Sequence, residues 1–331
     1  MAPPRRKPEA LQRAVNLVAE AEGNVSAAAR AAKMPYPTFQ KIVQDARDQG
    51  YIPDLPPPKP RIRVPARTSY APQQLPTGNA IRVLVWGCAH DSPNIPDKSR
   101  FKHAGMLATE LRPHFIVDLG DTLDLDSLST HAYAGSVDDR QRPGFVAEVE
   151  SLEEAVDTFD VNAPPAEEIP RYHLGGNHEY RANRFEQNNP TTDQVYTLPI
   201  AQVFARHGFS EMGFREWLYI EGVGFTHCPI NMMGKEYGGK TAGNLVLNEA
   251  THSIVWSHIH RQHFERRAKI GIGNGLQSYN TGTFLPQGYL KQYAGLSQTG
   301  WTYGISELTL RDGQIESARF WSELELQERF A

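Results

Sequence analysis

Five short segments of this chain concentrate residue types that hold metal ions: Cys88-Ala89-His90, Gly120-Asp121-Thr122-Leu123-Asp124, Gly176-Asn177-His178-Glu179, Thr226-His227-Cys228 and Ser257-His258-Ile259-His260. Imidazole, thiolate and carboxylate all ligate divalent transition metals, and an Asn oxygen adds coordination without further negative charge. Singly each segment is weak. Surface loops are rich in Asp, and a satisfied core histidine is commoner than a liganding one. Their order, and the Asn-His pair behind Gly175-Gly176, carry the signal.

Each segment falls just past an expected strand. Ile81 to Trp86 reads as a buried strand, Phe101 to Leu111 as a helix, Phe115 to Leu119 as a strand, Phe145 to Phe159 as a helix, and Tyr172 to Leu174 as a short strand. Later strand-like runs are Trp217 to Phe225, Ser253 to Trp256, Phe264 to Ile270 and Leu276 to Asn280, with a hairpin around Arg311-Asp312-Gly313. The alternation predicts an α/β core, followed by a second, more antiparallel sheet. Loops at strand carboxyl ends converge on one crevice, so donors distant in sequence meet there.

From Ile81 to Trp321 these motifs resemble the calcineurin-like metallophosphoesterase superfamily, whose pattern is Asp-x-His, Gly-Asp-x-x-Asp, Gly-Asn-His-Asp/Glu, a lone His and Gly-His-x-His in this order. The resemblance implies two sheets flanked by helices and two divalent ions. By it, Asp121 bridges both ions; one ion adds Cys88, His90 and His260, and the other Asn177, His227 and His258. His178 becomes the proton donor, oriented by Asp124. Such a pair of cations lowers the pKa of a shared water and neutralises charge on phosphoryl oxygens.

Two positions depart from the pattern. Cys88 stands where the family usually has Asp; a thiolate keeps the charge but is softer, favouring Zn or Fe (with Mn also acceptable) over Mg. A buried small hydrophobe at a strand end is the alternative. Leu125 stands where the protein phosphatase branch has an Arg that grips phosphomonoesters, which counts against that activity. Ser257 for Gly is milder. Glu179 reads as a supporting residue or helix start. Arg181 and Arg184, at helical spacing, are candidates to bind phosphate oxygens; His131 is a weaker one, and Met232 to Gly243 reads as a lid.

The amino-terminal part has a different character. Apolar residues at Leu11, Val15, Val18, then Val25, Ala28, Ala29, Ala32, then Phe39, Ile42, Val43 predict three short helices between Pro8 and Gly50, turning at Gly23-Asn24. The run from Gly23 to Val43 resembles a helix-turn-helix module, which implies that Thr38, Gln40, Lys41 and Gln44 face DNA. An Ala-rich bundle used for protein contacts gives a similar pattern. Between Pro53 and Pro76 lie eight prolines with Lys59, Arg61, Arg63 and Arg67 among them, the composition of an extended basic spacer. The expected organisation is therefore a helical domain over 1–52, a linker over 53–80 and a catalytic domain over 81–331.

The chain has 331 residues, 34 Lys+Arg against 38 Asp+Glu, and two cysteines. That length holds one large core and a small module, and two cysteines exclude a disulfide scaffold. Up to Ala80, twelve Lys/Arg face six Asp/Glu, so a +6 head precedes a −10 body. A basic head suits a polyanion. No apolar run is long enough to span a membrane, and a soluble cytoplasmic protein is expected. These readings point to a dinuclear phosphodiesterase or nuclease acting on nucleic acid, DNA before RNA. The alternatives are a phosphodiesterase for cyclic nucleotides or other small diesters, and a non-hydrolytic DNA-binding protein with a degenerate metal site. The sequence specifies no oligomeric state.

Overall fold

A computed structural model describes residues 6–21, 25–51, 80–130, 137–270, 273–289 and 300–331. The chain divides into two compact units, Met1–Gln73 and Gln74–Ala331. The Gly23-Asn24 turn, His131 and all of the proline-rich segment but Ala80 lie outside the described residues.

The first unit holds α1 (Pro8–Glu20), α2 (Val25–Ala31) and α3 (Tyr36–Asp48). Their spacing buries Leu11, Ala14 and Val18 of α1, Ala28 and Ala29 of α2, and Phe39, Ile42, Val43 and Ala46 of α3 in one cluster. Lys33, in the left-handed region at φ 52°, closes α2. Its N–H donates to the Arg30 carbonyl at 3.0 Å, and that of Met34 to the Ala29 carbonyl at 3.0 Å. Pro37 lies in the first turn of α3, where a missing N–H costs nothing. Thr38, Gln40, Lys41 and Gln44 lie opposite the buried positions and are exposed.

In the second unit the elements run β1 (Ile81–Trp86), α4 (Ser99–Leu111), β2 (Phe115–Asp118), α5 (Val137–Arg140), α6 (Phe145–Asp160), β3 (Arg171–Leu174), α7 (Tyr180–Asn188), α8 (Thr197–Arg206) and β4 (Phe209–Met212). There follow β5 (Leu218–Ile220), β6 (Val223–Phe225), α9 (Ala242–Glu249), β7 (Ile254–Trp256), β8 (His263–Arg267), β9 (Leu276–Asn280), β10 (Gly304–Arg311), β11 (Gln314–Ser322) and α10 (Glu323–Phe330). One sheet has the order β11-β10-β1-β2-β3-β4, the other β5-β6-β7-β9-β8.

Alternation along β1 explains the layering. Val83 and Val85 enter a cluster with Val117 and Leu119 of the same sheet and Phe225, Val255 and Tyr279 of the other, filling the space between sheets. Leu84 and Trp86 point the other way, against Phe101, Leu107, Leu152, Phe159 and Phe204 of α4, α6 and α8. On the outer face of the second sheet, Ile254 and Trp256 pack on Ala242, Val246 and Leu247 of α9. The two-sheet α/β architecture flanked by helices is therefore present.

The second sheet is less antiparallel than expected: β5/β6 and β8/β9 are antiparallel, but β6/β7 and β7/β9 are parallel. The chain must cross over between β6 and β7, and α9 makes that crossover. The single run expected over Trp217 to Phe225 is split by a turn at Glu221-Gly222, with φ of 49° and 75°, as a two-residue hairpin requires. No described helix is long and apolar enough to cross a membrane.

Candidate metal centre

β1, β2 and β3 are adjacent and parallel, and so are β6 and β7. Their carboxyl ends deliver the loops that begin at Gly87, Leu119, Gly175, Thr226 and Ser257. Cys88, His90, Asp121, His258 and His260 all hold left-handed backbone, with φ of 56°, 44°, 52°, 73° and 57°. Such a conformation costs a non-glycine residue on the order of 1–2 kcal/mol and persists only where its surroundings impose it. Gly176 has to be glycine, because a Cβ there would collide with the Asp121 carboxylate and backbone.

The loops are fastened to one another. The Glu179 carboxylate accepts from the backbone N–H groups of Asp121 (2.9 Å), Thr122 (2.7 Å), Leu123 (3.1 Å) and Gly176 (2.9 Å). The His90 N–H donates to the Asp121 carbonyl, and the Cys88 N–H to that of Gly120, both at 2.8 Å.

The donors then meet. His90 Nε2 and His260 Nε2 are 3.0 Å apart, and the ligand atoms of Cys88, His90 and His260 lie within 4.8 Å of one another. Asn177 Oδ1 is 3.1 Å from His227 Nε2 and 2.9 Å from His258 Nδ1. Asp121 joins the two groups: its Oδ2 is 3.1 Å from His227 Nε2, 3.9 Å from His90 Nε2 and 4.0 Å from His178 Nε2. The Cys88 thiol also lies within 4.8 Å of the Asp121 and His227 ligand atoms. Its sulfur is 3.0 Å from Ser257 Oγ and accepts the His258 N–H at 3.2 Å.

Charge is distributed unevenly. Burial, reinforced by His178, lowers the His90 pKa to about 4. Burial, reinforced by His227, lowers that of His258 to about 4; burial and His90 push His260 well down. Burial is the largest influence on His227 and His178 and lowers both, but the charge and hydrogen bond of Asp121 at His227, and Asp121 together with Asp124 at His178, more than offset it and leave both above the usual histidine value. Burial raises Asp121, yet His227 and His178 hold its carboxylate well below the usual range. Burial and Asp121 raise the Cys88 thiol well above its ordinary value.

This donor set fits divalent-metal binding. Neutral imidazole nitrogens face each other at 3.0 Å, and an amide oxygen, a carboxylate and a thiol complete two overlapping groups of donors.

His178 lies beside this set. Its Nδ1 donates to the Asp124 carbonyl at 2.7 Å and is 3.2 Å from Asp124 Oδ1, which leaves Nε2 facing the cage. The same Asp124 oxygen is 3.2 Å from His90 Nδ1. Arg181, expected to grip phosphate, is buried and turned inward. Its Nη1 donates to the Asp124 and Leu125 carbonyls at 2.9 and 3.3 Å, beside the His178 and Leu128 donors these already have. Only Nη2 points toward the site, 3.4 Å from His178 Nε2. Arg184 is exposed on α7. Leu125 is fully buried in the core. Cys228 is buried and, like Cys88, a free thiol.

Two neighbours escaped the sequence reading. Trp301 packs edge-on against His260, ring centres 4.3 Å apart, and Glu236 Oε2 is 3.8 Å from His258 Nε2. Glu236 falls inside the segment read as a lid, but no motif marks either residue.

The fold and site together define a two-sheet α/β chain with a cage of histidine, carboxylate, amide and thiol donors at its strand ends. Among solved structures, the chain is similar to Yfce, a phosphoesterase from E. coli, at 13% identity over 72% of this chain and 98% of that one, with a TM-score of 0.32. It is also similar to a conserved protein of Streptococcus pneumoniae TIGR4 described as a predicted phosphoesterase, at 10% identity over 74% and 99%, with a TM-score of 0.30. No protein-family model and no curated protein matches this chain.

Proposed function

We propose that the Gln74–Ala331 unit is a metal-dependent phosphodiesterase, and that its substrate is nucleic acid, DNA before RNA. The observation that carries the reading is the meeting of Cys88, His90, Asp121, Asn177, His227, His258 and His260, drawn from five strand ends, beside a histidine held by a carboxylate. Cys88, His90, Asp121 and His260 would hold one ion, and Asp121, Asn177, His227 and His258 the other; Mn, Zn or Fe suits a set containing a thiol. When bound, the cations lower the pKa of solvent and neutralise charge on the phosphoryl oxygens.

The remaining chemistry belongs to the chain. His178 holds its Nδ1 proton on Asp124 and presents Nε2 to the crevice. Asp121 and Asp124 favour its protonated form despite burial. Protonated His178 delivers the Nε2 proton to the leaving oxygen. Nη2 of Arg181, 3.4 Å away, disfavours that proton and promotes its release. The buried Leu125 contributes no guanidinium for a phosphomonoester, which supports a diester substrate.

The nucleic-acid part rests on the +6 head and on the exposed face of α3, where Lys41 is flanked by Thr38, Gln40 and Gln44. The test compares hydrolysis of bis-p-nitrophenyl phosphate, p-nitrophenyl phosphate, cyclic AMP, and single- and double-stranded DNA by the Mn- or Zn-loaded chain. Cleavage of DNA and of the model diester, with the monoester poor, is expected. Turnover of cyclic AMP with no DNA cleaved overturns the nucleic-acid reading, and an inert metal-loaded chain overturns the enzyme.

A further inference from the structure

Three imidazoles of the cage, those of His90, His227 and His258, have an oxygen behind the ring, on the nitrogen that faces away from the other donors. His90 turns Nε2 inward and Nδ1 to Asp124 Oδ1 at 3.2 Å. His227 turns Nε2 inward and donates Nδ1–H to the Leu119 carbonyl at 2.8 Å. His258 is reversed: Nδ1 points inward, 2.9 Å from Asn177 Oδ1, and Nε2 points outward to Glu236 Oε2 at 3.8 Å. A ligating histidine depends on such a rear acceptor to fix its tautomer and ring angle.

Glu236 is itself held in place. An antiparallel bridge pairs it with Ile230. The Asn231 N–H donates to the Lys235 carbonyl at 2.8 Å, and Asn231 Oδ1 accepts from the N–H groups of Met233 and Lys235, both at 3.0 Å. The result is a closed hairpin with Glu236 at its foot and the exposed Met232 and Met233 at its tip. Arg215 Nη2, 3.5 Å from Glu236 Oε1, holds the other carboxylate oxygen.

We infer that Glu236 is a positioning residue for the metal centre: from the 230–236 hairpin its carboxylate stands behind His258 Nε2 and favours a proton there in place of the one Nδ1 shares with Asn177, so that Nδ1 can ligate the ion shared with Asn177 and His227. This rests on the metal-dependent reading above. It makes occupancy of one ion, and not of the other, depend on the hairpin.

Stepwise Zn titration of the metal-free full chain by calorimetry, with thermal unfolding of the same metal-free samples, tests it. Wild type takes up two ions. Glu236→Gln weakens one of them about 10- to 100-fold, leaves the other unchanged, and unfolds at the wild-type temperature. Unchanged affinity for both ions, or equal weakening of both with a lowered unfolding temperature, overturns the role of Glu236. So does a third ion lost in both Glu236→Gln and Cys228→Ser, since the Cys228, Glu236 and His258 ligand atoms lie within 4.8 Å and Glu236 would then be a ligand. A wild-type chain that takes up no ion overturns instead the functional reading itself.

Discussion

Glu179 Oε2 accepts the Asp121 N–H at 2.9 Å, and so ties the loop after β3 to the loop that carries the carboxylate shared by both groups of donors. The same side chain accepts three more amides, from Thr122, Leu123 and Gly176. Glu179→Ala leaves four buried donors unpaired, each costing about 1–3 kcal/mol when nothing replaces the acceptor. Because the losses are not additive, destabilisation of at least about 3 kcal/mol is expected. Urea unfolding of the metal-free protein measures it, and a change below about 1 kcal/mol contradicts this account of the loop.

The roles proposed for His178 and Asp121 make separate predictions. His178→Ala is expected to lower kcat by about 10²- to 10⁴-fold, the usual span for a lost general acid, while retaining the wild-type metal content. Asp121→Asn removes the negative charge that lies near both donor groups and is expected to lose metal itself. Equal metal loss in the two variants contradicts the division.

Cys88 offers a spectroscopic test, because a thiolate bound to Co(II) absorbs in the near ultraviolet. The Co(II)-loaded chain is expected to show that band, Cys88→Ser to abolish it and Cys228→Ser to keep it. Cys88→Asp is expected to preserve or raise Mn-supported turnover. A band surviving in Cys88→Ser shows that the thiol is a packing group only.

Glu148 gives stability a pH dependence of its own. Its carboxylate accepts the Asp126 N–H at 2.6 Å and that of Ser127 at 3.3 Å, and burial raises its pKa to about 7. The folded state therefore binds more protons than the unfolded chain above the ordinary glutamate pKa. The stability contributed is complete below about pH 4.5 and lost as pH rises through about 7. Relative to wild type, Glu148→Gln is expected to gain on the order of 2–3 kcal/mol between pH 4.5 and 8. Parallel stability-versus-pH curves for the two proteins contradict this.

Much of the candidate site was legible because its donor types cluster in short segments just past the strands, as in Gly176-Asn177-His178-Glu179 and His258-Ile259-His260. The long strands and helices were legible from their periods, β1 and α6 most clearly. The inward turn of Arg181 was not, since helical spacing says nothing of the Asp124 and Leu125 carbonyls that attract it. Nor were Glu236, which reaches the site from the 230–236 hairpin, and Trp301, which reaches it from the residues just before β10. β4, with its two exposed central residues, and α9, with only four buried positions, carried too short a pattern. The parallel pairing of β7 is a property of the crossover and leaves no local mark.

The measurement closest to the central claim is an anomalous-scattering map from a crystal of the full chain soaked in Mn(II). The expected map has two peaks flanking Asp121, one among Cys88, His90 and His260 and one among Asn177, His227 and His258. A map with no ion at Asp121, in a chain otherwise folded as described, would contradict it.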